Sequence, residues 1–181
     1  YAEGSDEYNK LKQECLFEMW QNKAITDTYM PGSTFKVITT AMALEEKKVK
    51  TTEMFTCTGS MKLGKRTIHC HKLTGHGTVT FARGLQESCN PVLMTVGLRM
   101  GTDLFKQYFD AFGYSEETGV DLPGEANSIF FDPFTETDLA VASFGQNFKI
   151  TALQQICGIT AVANGGNLIK PYMVEKIIDG N

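Results

Sequence analysis

The sequence predicts a helix-rich α+β fold, and three observations carry that prediction. Apolar residues recur at helical spacing in several stretches bounded by Gly, Pro or capping residues. Strand-like texture is confined to residues 54–71 and 172–181. With 42% hydrophobic and 21% charged residues, a chain of 181 residues can build a core of its own or form part of a larger domain.

Residues 1–9 are polar and read as a loop. From 10 to 23, Leu11, Cys15, Phe17, Met19 and Trp20 keep an imperfect helical spacing. After the Pro31-Gly32 break, Phe35, Val37, Ile38, Ala41, Met42 and Leu44 predict a largely buried helix that ends near the Glu45-Glu46-Lys47-Lys48 cluster. MFTCTGSMKLGKRTIHCH, with Gly59 and Gly64, predicts a small hairpin. Thr78 or Thr80 can cap a helix over 81–85, and Pro91 suits the first turn of the next. Leu104, Phe105, Tyr108, Phe109 and Phe112 share one face of an amphipathic helix ended by Gly113. Residues 114–138, rich in Gly, Pro and acidic side chains, predict a long surface loop. TALQQICGITAVANGG predicts an apolar helix closed by Gly165-Gly166, and 172–181 a strand followed by a turn. A lone strand needs a partner, so these residues read as part of a longer fold.

Charge and hydropathy narrow the function. A net charge of −4 supplies no basic field for nucleic acid, and no run of five like charges suggests a tail. No apolar run approaches the roughly 18 residues of a membrane span, and no signal peptide opens the sequence.

Chemistry is concentrated around Ser33 and Lys36. Ser33 follows Pro-Gly at a helix start, where a hydroxyl serves as a cap. Capping leaves Lys36 unexplained, because a lysine in the first turn faces the positive end of the helix dipole. Three residues apart, the two side chains share a helix face, and a buried lysine of lowered pKa can serve as the base that a serine nucleophile needs. Ser88-Cys89-Asn90, just before Pro91, forms S-x-N. It too admits a capping reading, with Cys89 as small buried filler.

S-x-x-K and S-x-N together resemble the signatures of the penicillin-recognising serine enzymes. The blocks DTYMPGSTFKVITTAMALE, HGTVTFARGLQESCNPV, GLRMGTDLFKQYFDAFGYSEETGVDLPGE and SFGQNFKITALQQICGITAVANGGNLIKPYMVEKI extend the match. In content and order they resemble a class B penicillin-binding protein transpeptidase domain of the sporulation or elongation type, from about residue 20 onward. The resemblance implies a peptidoglycan DD-transpeptidase in cell-wall or spore-cortex synthesis that cross-links stem peptides and is acylated by β-lactams. Ser33 would be the nucleophile and Lys36 its base. Ser88 would relay a proton to the leaving group, and Asn90 would bind Lys36 and the substrate amide. No cofactor for catalysis is implied. A cell-wall glycosyltransferase is an implied partner, and the substrate implies the extracytoplasmic face of the membrane with an anchor upstream. The third family signature, K-[ST]-G, does not occur; Lys72-Leu73-Thr74-Gly75 has one residue too many and precedes S-x-N. That strand, and much of the antiparallel sheet, is expected beyond Asn181. Residues 1–181 then read as the first two-thirds of the domain, inert on their own. A β-lactamase-like hydrolase and a non-catalytic β-lactam sensor or scaffold remain alternatives.

Five cysteines form an odd set, and all three histidines fall between 69 and 76. The hairpin can return Cys70 to Cys57 with His71 and His76 just beyond, a donor set that suits a closed structural Zn2+ site. Cys57, Cys70, His71 and His76 are the expected ligands, His71 being chosen over His69 for the fourth place. A Cys57–Cys70 disulfide and ordinary packing are the alternatives.

Overall fold

The computed structural model describes residues 2–130 and 133–179. Helix α1 (Asp6–Trp20) begins inside the stretch read as loop, because the Ser5 hydroxyl accepts the Tyr8 N–H at 3.2 Å and Asp6 and Glu7 suit the helix N-terminus. Its imperfect spacing yields no buried residue; Phe17 and Trp20 remain exposed. After α2 (Lys23–Thr26) and strand β1 (Thr28–Tyr29), a 3-10 turn, Gly32–Phe35, runs directly into α3 (Lys36–Glu45).

The expected hairpin is larger than predicted. Strands β2 (Met54–Cys57) and β5 (Gly77–Thr80) pair antiparallel, with Cys57 opposite Gly77, and enclose a tighter hairpin of β3 (Ser60–Leu63) and β4 (Arg66–His69). The chain crosses itself closely at the neck: a Cβ on Gly59 would lie 1.9 Å from Leu73 O, and one on Gly75 2.2 Å from Cys57 O. Only glycine fits there, and the crossing draws the two cysteine-bearing ends together.

Of the two candidate caps, Thr80 holds α4 (Phe81–Gln86), and α5 (Asn90–Met100) follows with Pro91 in its first turn. The predicted amphipathic face of α6 (Thr102–Ala111) buries Phe105 and Phe109. Residues 114–138 are loop only in part. Within them lie β6 (Ile129–Phe130) and the start of α7 (Glu136–Ala142), set by a Thr135/Asp138 capping box; residues 131 and 132 lie outside the described ones. Strand β7 (Phe148–Thr151), which periodicity did not separate from the following helix, leads through a Thr151/Gln154 capping box into α8 (Ala152–Ala163). Over 172–179 the expected strand is not formed. No described strand lies beside it; the Asp121 carboxylate accepts the Met173 and Val174 N–H groups at 2.6 and 2.9 Å instead. Residues 180 and 181 of that stretch lie outside the described ones.

The sheet order is β1-β7-β6, all antiparallel, with Thr28 opposite Thr151 and Ile129 opposite Lys149. Phe35 sits at the centre of the core, fully buried, its ring 4.7 to 6.3 Å from those of Phe148, Tyr114, Phe105 and Phe109. Burying such a ring contributes about 2–3 kcal/mol, and here it fixes the turn that carries Ser33.

Candidate active site

Ser33 stands in the 3-10 turn two residues before its anchor Phe35, and Lys36 opens α3 with a side chain only 1% exposed. The lysine that the helix dipole disfavours is held by three acceptors. Its Nζ donates to Ser88 O, Ser88 Oγ and Asn90 Oδ1, each at 2.8 Å. Ser88 offers both oxygens from a backbone in the left-handed region, φ 50°, where a non-glycine residue is uncommon. Ser88 Oγ in turn donates to Ser33 Oγ at 3.0 Å, and Asn90 Nδ2 donates to His69 O at 3.3 Å. The four residues expected to be catalytic are therefore brought together. One detail differs from the sequence expectation: the hydrogen bonds of Lys36 link it to Ser33 through Ser88.

Burial lowers the Lys36 pKa from 10.5 to about 8, with Cys70 and Cys89 pulling the other way. A lysine in that range is available as a neutral amine near neutral pH. With the amine neutral, both hydroxyls can rotate to reverse these hydrogen bonds, and the Ser33–Ser88–Lys36 line can then carry a proton from Ser33 toward Lys36.

Directly beside this line lies a second constellation. Among the described residues, Cys57, Cys70, His76 and Cys89 place one donor atom each within 4.8 Å of one another. The fourth donor is thus Cys89, the middle residue of S-x-N. His71, expected in that place, is exposed; its Nδ1 lies 3.8 Å from Cys70 Sγ, outside the group of four. The reason is topological: the residue after Cys70 turns outward at the hairpin neck, whereas the turn before α5 points Cys89 inward with 0% exposure. A third cysteine was the available signal, obscured because Cys89 also suits the role of buried filler. The five cysteines are free thiols.

The donor set fits a tetrahedral metal. Bonds of about 2.3 Å to sulfur and 2.0 Å to nitrogen place the donors roughly 3.5–3.8 Å apart, and Cys70 Sγ lies 3.6 Å from His76 Nδ1. Burial, aided by His71, lowers the His76 pKa, which favours the neutral ring that a metal binds. Burial pushes Cys89 up to about 12. For Cys57 burial acts in the same direction but is outweighed by hydrogen bonds, first from the His76 and Gly59 backbone. Thiols this close oppose one another's ionisation, and a divalent cation removes the conflict.

Comparison with known proteins agrees with this geometry. The family model for the penicillin binding protein transpeptidase domain matches residues 1–180. Stage V sporulation protein D of Bacillus subtilis (strain 168) is 38% identical over 162 residues, which is 88% of this chain and 25% of that protein. Peptidoglycan D,D-transpeptidase PbpA of Mycolicibacterium smegmatis is 31% identical over 183 residues, 97% of this chain and 37% of that protein. Among solved structures, penicillin binding protein 3 of Mycobacterium tuberculosis complexed with aztreonam superposes with a TM-score of 0.78 at 26% identity, covering 85% of this chain and 35% of that one. The chain thus spans only 25% and 37% of the length of these two curated relatives. With the family model matched over nearly its whole length and the S-x-x-K and S-x-N side chains hydrogen-bonded to one another, the chain belongs to the penicillin-binding protein transpeptidase family.

Proposed function

We propose that the protein is a serine-type peptidoglycan DD-transpeptidase acylated on Ser33, acting in cell-wall or spore-cortex synthesis. The observation that carries this is the continuous line from Ser33 Oγ through Ser88 Oγ to the buried Lys36 Nζ. Ser33 Oγ attacks the penultimate D-alanine carbonyl of a stem peptide. Its proton passes to Ser88 as the Ser88 proton passes to the neutral Lys36 amine. The bond to the terminal D-alanine then breaks, and the proton returns through Ser88 to the departing amine. Asn90 keeps Lys36 aligned through its Oδ1. The acyl group is finally transferred to the amine of a second stem peptide. β-Lactams would enter by the same first step and remain on Ser33. Peptidoglycan lies outside the cytoplasmic membrane, so the reaction belongs on the extracytoplasmic face, with the enzyme anchored there beside a glycosyltransferase that supplies glycan strands. Among the described residues no helix is long and apolar enough to cross a membrane.

We further propose that Cys57, Cys70, His76 and Cys89 hold a structural Zn2+. Four protein donors leave no open position, so the metal would fasten the hairpin to the S-x-N turn and take no part in acyl transfer. The function is tested with the complete protein, a pentapeptide stem analogue and an acceptor amine. Release of D-alanine with formation of the amide-linked product is expected. Release into water alone would identify a hydrolase, and β-lactam binding without any release a sensor; either result would overturn the transpeptidase reading.

A further inference from the structure

Three backbone segments converge behind the nucleophile. The Gly32 N–H donates to Gly145 O at 2.8 Å. Gly145 has φ +83°, and a Cβ there would lie 2.0 Å from Gly32 O and 2.7 Å from both Gly32 C and Gly32 N. On its other side the same segment presses on α5. Ser143, fully buried, donates to Leu139 O at 2.7 Å, and a Cβ on Gly97 would lie 1.7 Å from Ser143 Oγ and 2.7 Å from Ser143 Cβ. Helix α5 begins at Asn90, so its position fixes Ser88; Gly32 immediately precedes Ser33. Residues 143–145 therefore touch the helix that begins at Asn90, directly after Ser88-Cys89, and the turn that carries Ser33.

The segment is itself held in place. Asn147, in the left-handed region at φ 66°, donates from Nδ2 to Asp138 Oδ1 at 2.8 Å. Phe144 belongs to a small apolar cluster with Met94 and Ala140, against which Met61, Leu63 and Ile68 of the inner hairpin pack. Neither feature has a part in the acyl-transfer steps described above.

We infer that residues 143–145 are a spacer that sets the Ser33–Ser88 separation, with Gly97 and Gly145 as positioning residues for acylation. This rests on Ser33 being the nucleophile. Bringing the Gly145 contact from 2.0 Å to an ordinary 3.4 Å requires a displacement of roughly 1.4 Å between the segment and Gly32. The Ser88–Ser33 hydrogen bond is already 3.0 Å long and is lost beyond about 3.5 Å. The displacement thus exceeds what the proton line tolerates.

The test follows acylation of the complete protein by a fluorescent penicillin, separating the rate constant from the final fraction of molecules acylated. Gly145→Ala is expected to lower the rate constant about 10²-fold, the scale of a 1 Å misplacement, while the final fraction and the non-covalent affinity stay unchanged. Gly165→Ala is the control for backbone strain alone, since Gly165 has φ +87° and open space around it; it should leave the rate unchanged. Gly97→Ala should slow acylation, and adding Ser143→Gly, which removes both clashing atoms, should restore it. A purely structural lesion would lower the acylated fraction and spare the rate of the surviving molecules, so that pattern overturns the inference, as does an unchanged rate in Gly145→Ala. Should Gly145→Ala not fold, failure of Ser143→Gly to rescue the Gly97→Ala rate overturns it. A wild-type protein with no adduct on Ser33 would remove the functional reading, and the spacer role with it.

Discussion

Lys36 offers the sharpest quantitative test of the acyl-transfer reading. With a pKa lowered by burial to about 8, roughly one molecule in eleven carries the neutral amine at pH 7 and about one in a hundred at pH 6. If Lys36 is the base, the acylation rate constant should rise about tenfold per pH unit below 8 and level off above it. Lys36→Arg keeps the charge but cannot release a proton near neutral pH, so it should lower acylation by about 10²–10⁴-fold at every pH. Stability follows the same group. The folded value lies below the 10.5 of the exposed side chain, so the cost of burying the ammonium, about 3 kcal/mol, is full below pH 8 and disappears as pH rises toward 10.5. Unfolding free energy should therefore climb across that window in the wild type, and a Lys36→Met variant should lack the climb. Stopped-flow acylation from pH 6 to 9.5 and denaturant titrations over pH 7 to 10.5 measure the two effects. A flat acylation profile, or near-normal acylation by Lys36→Arg, would refute Lys36 as the base.

Elemental analysis should find near-stoichiometric zinc that is lost in Cys70→Ser and Cys89→Ala, with a lower melting temperature, and retained in His71→Ala. A metal-free preparation of full stability, or a mass two hydrogens light from a Cys57–Cys70 bond, would contradict it. Phe35→Ala empties the centre of the aromatic core and should cost about 3–5 kcal/mol in urea titration; a loss below about 1 kcal/mol would show that the core does not hold the turn that carries Ser33. In Gly158→Ala the new Cβ would meet Tyr114 Oη at 2.1 Å and disturb its hydrogen bond to Gln155. A loss of about 1–3 kcal/mol is expected by the same titration, and unaltered stability would show that α8 and Tyr114 are not held at this distance.

The candidate site residues were legible because each local signal was simple. Pro-Gly before Ser33, a lysine against the dipole, and S-x-N before a proline-led helix each marked a residue that the structure brings into one hydrogen-bonded group. Amphipathic α6 was equally plain, since Phe105 and Phe109 lie on one face and both are buried. Other features depend on contacts distant in sequence. Strand β7 is defined by pairing with Thr28–Tyr29 and Ile129–Phe130, more than a hundred and about twenty residues away in order, and its own FKIT runs into an apolar helix without a break in texture. Cys89 could not be assigned by spacing, because it joins Cys57 and Cys70 only where α5 packs beside the hairpin. Helix α7 was written in Thr135-x-x-Asp138, a cap signal hidden by the Gly- and Pro-rich stretch before it.

The central claim is that Ser33 becomes acylated. Incubation of the complete protein with penicillin, followed by proteolysis and mass spectrometry, should place the penicilloyl mass on the peptide containing Ser33, with no adduct in Ser33→Ala. An adduct on another residue, or one that persists in Ser33→Ala, would contradict the account.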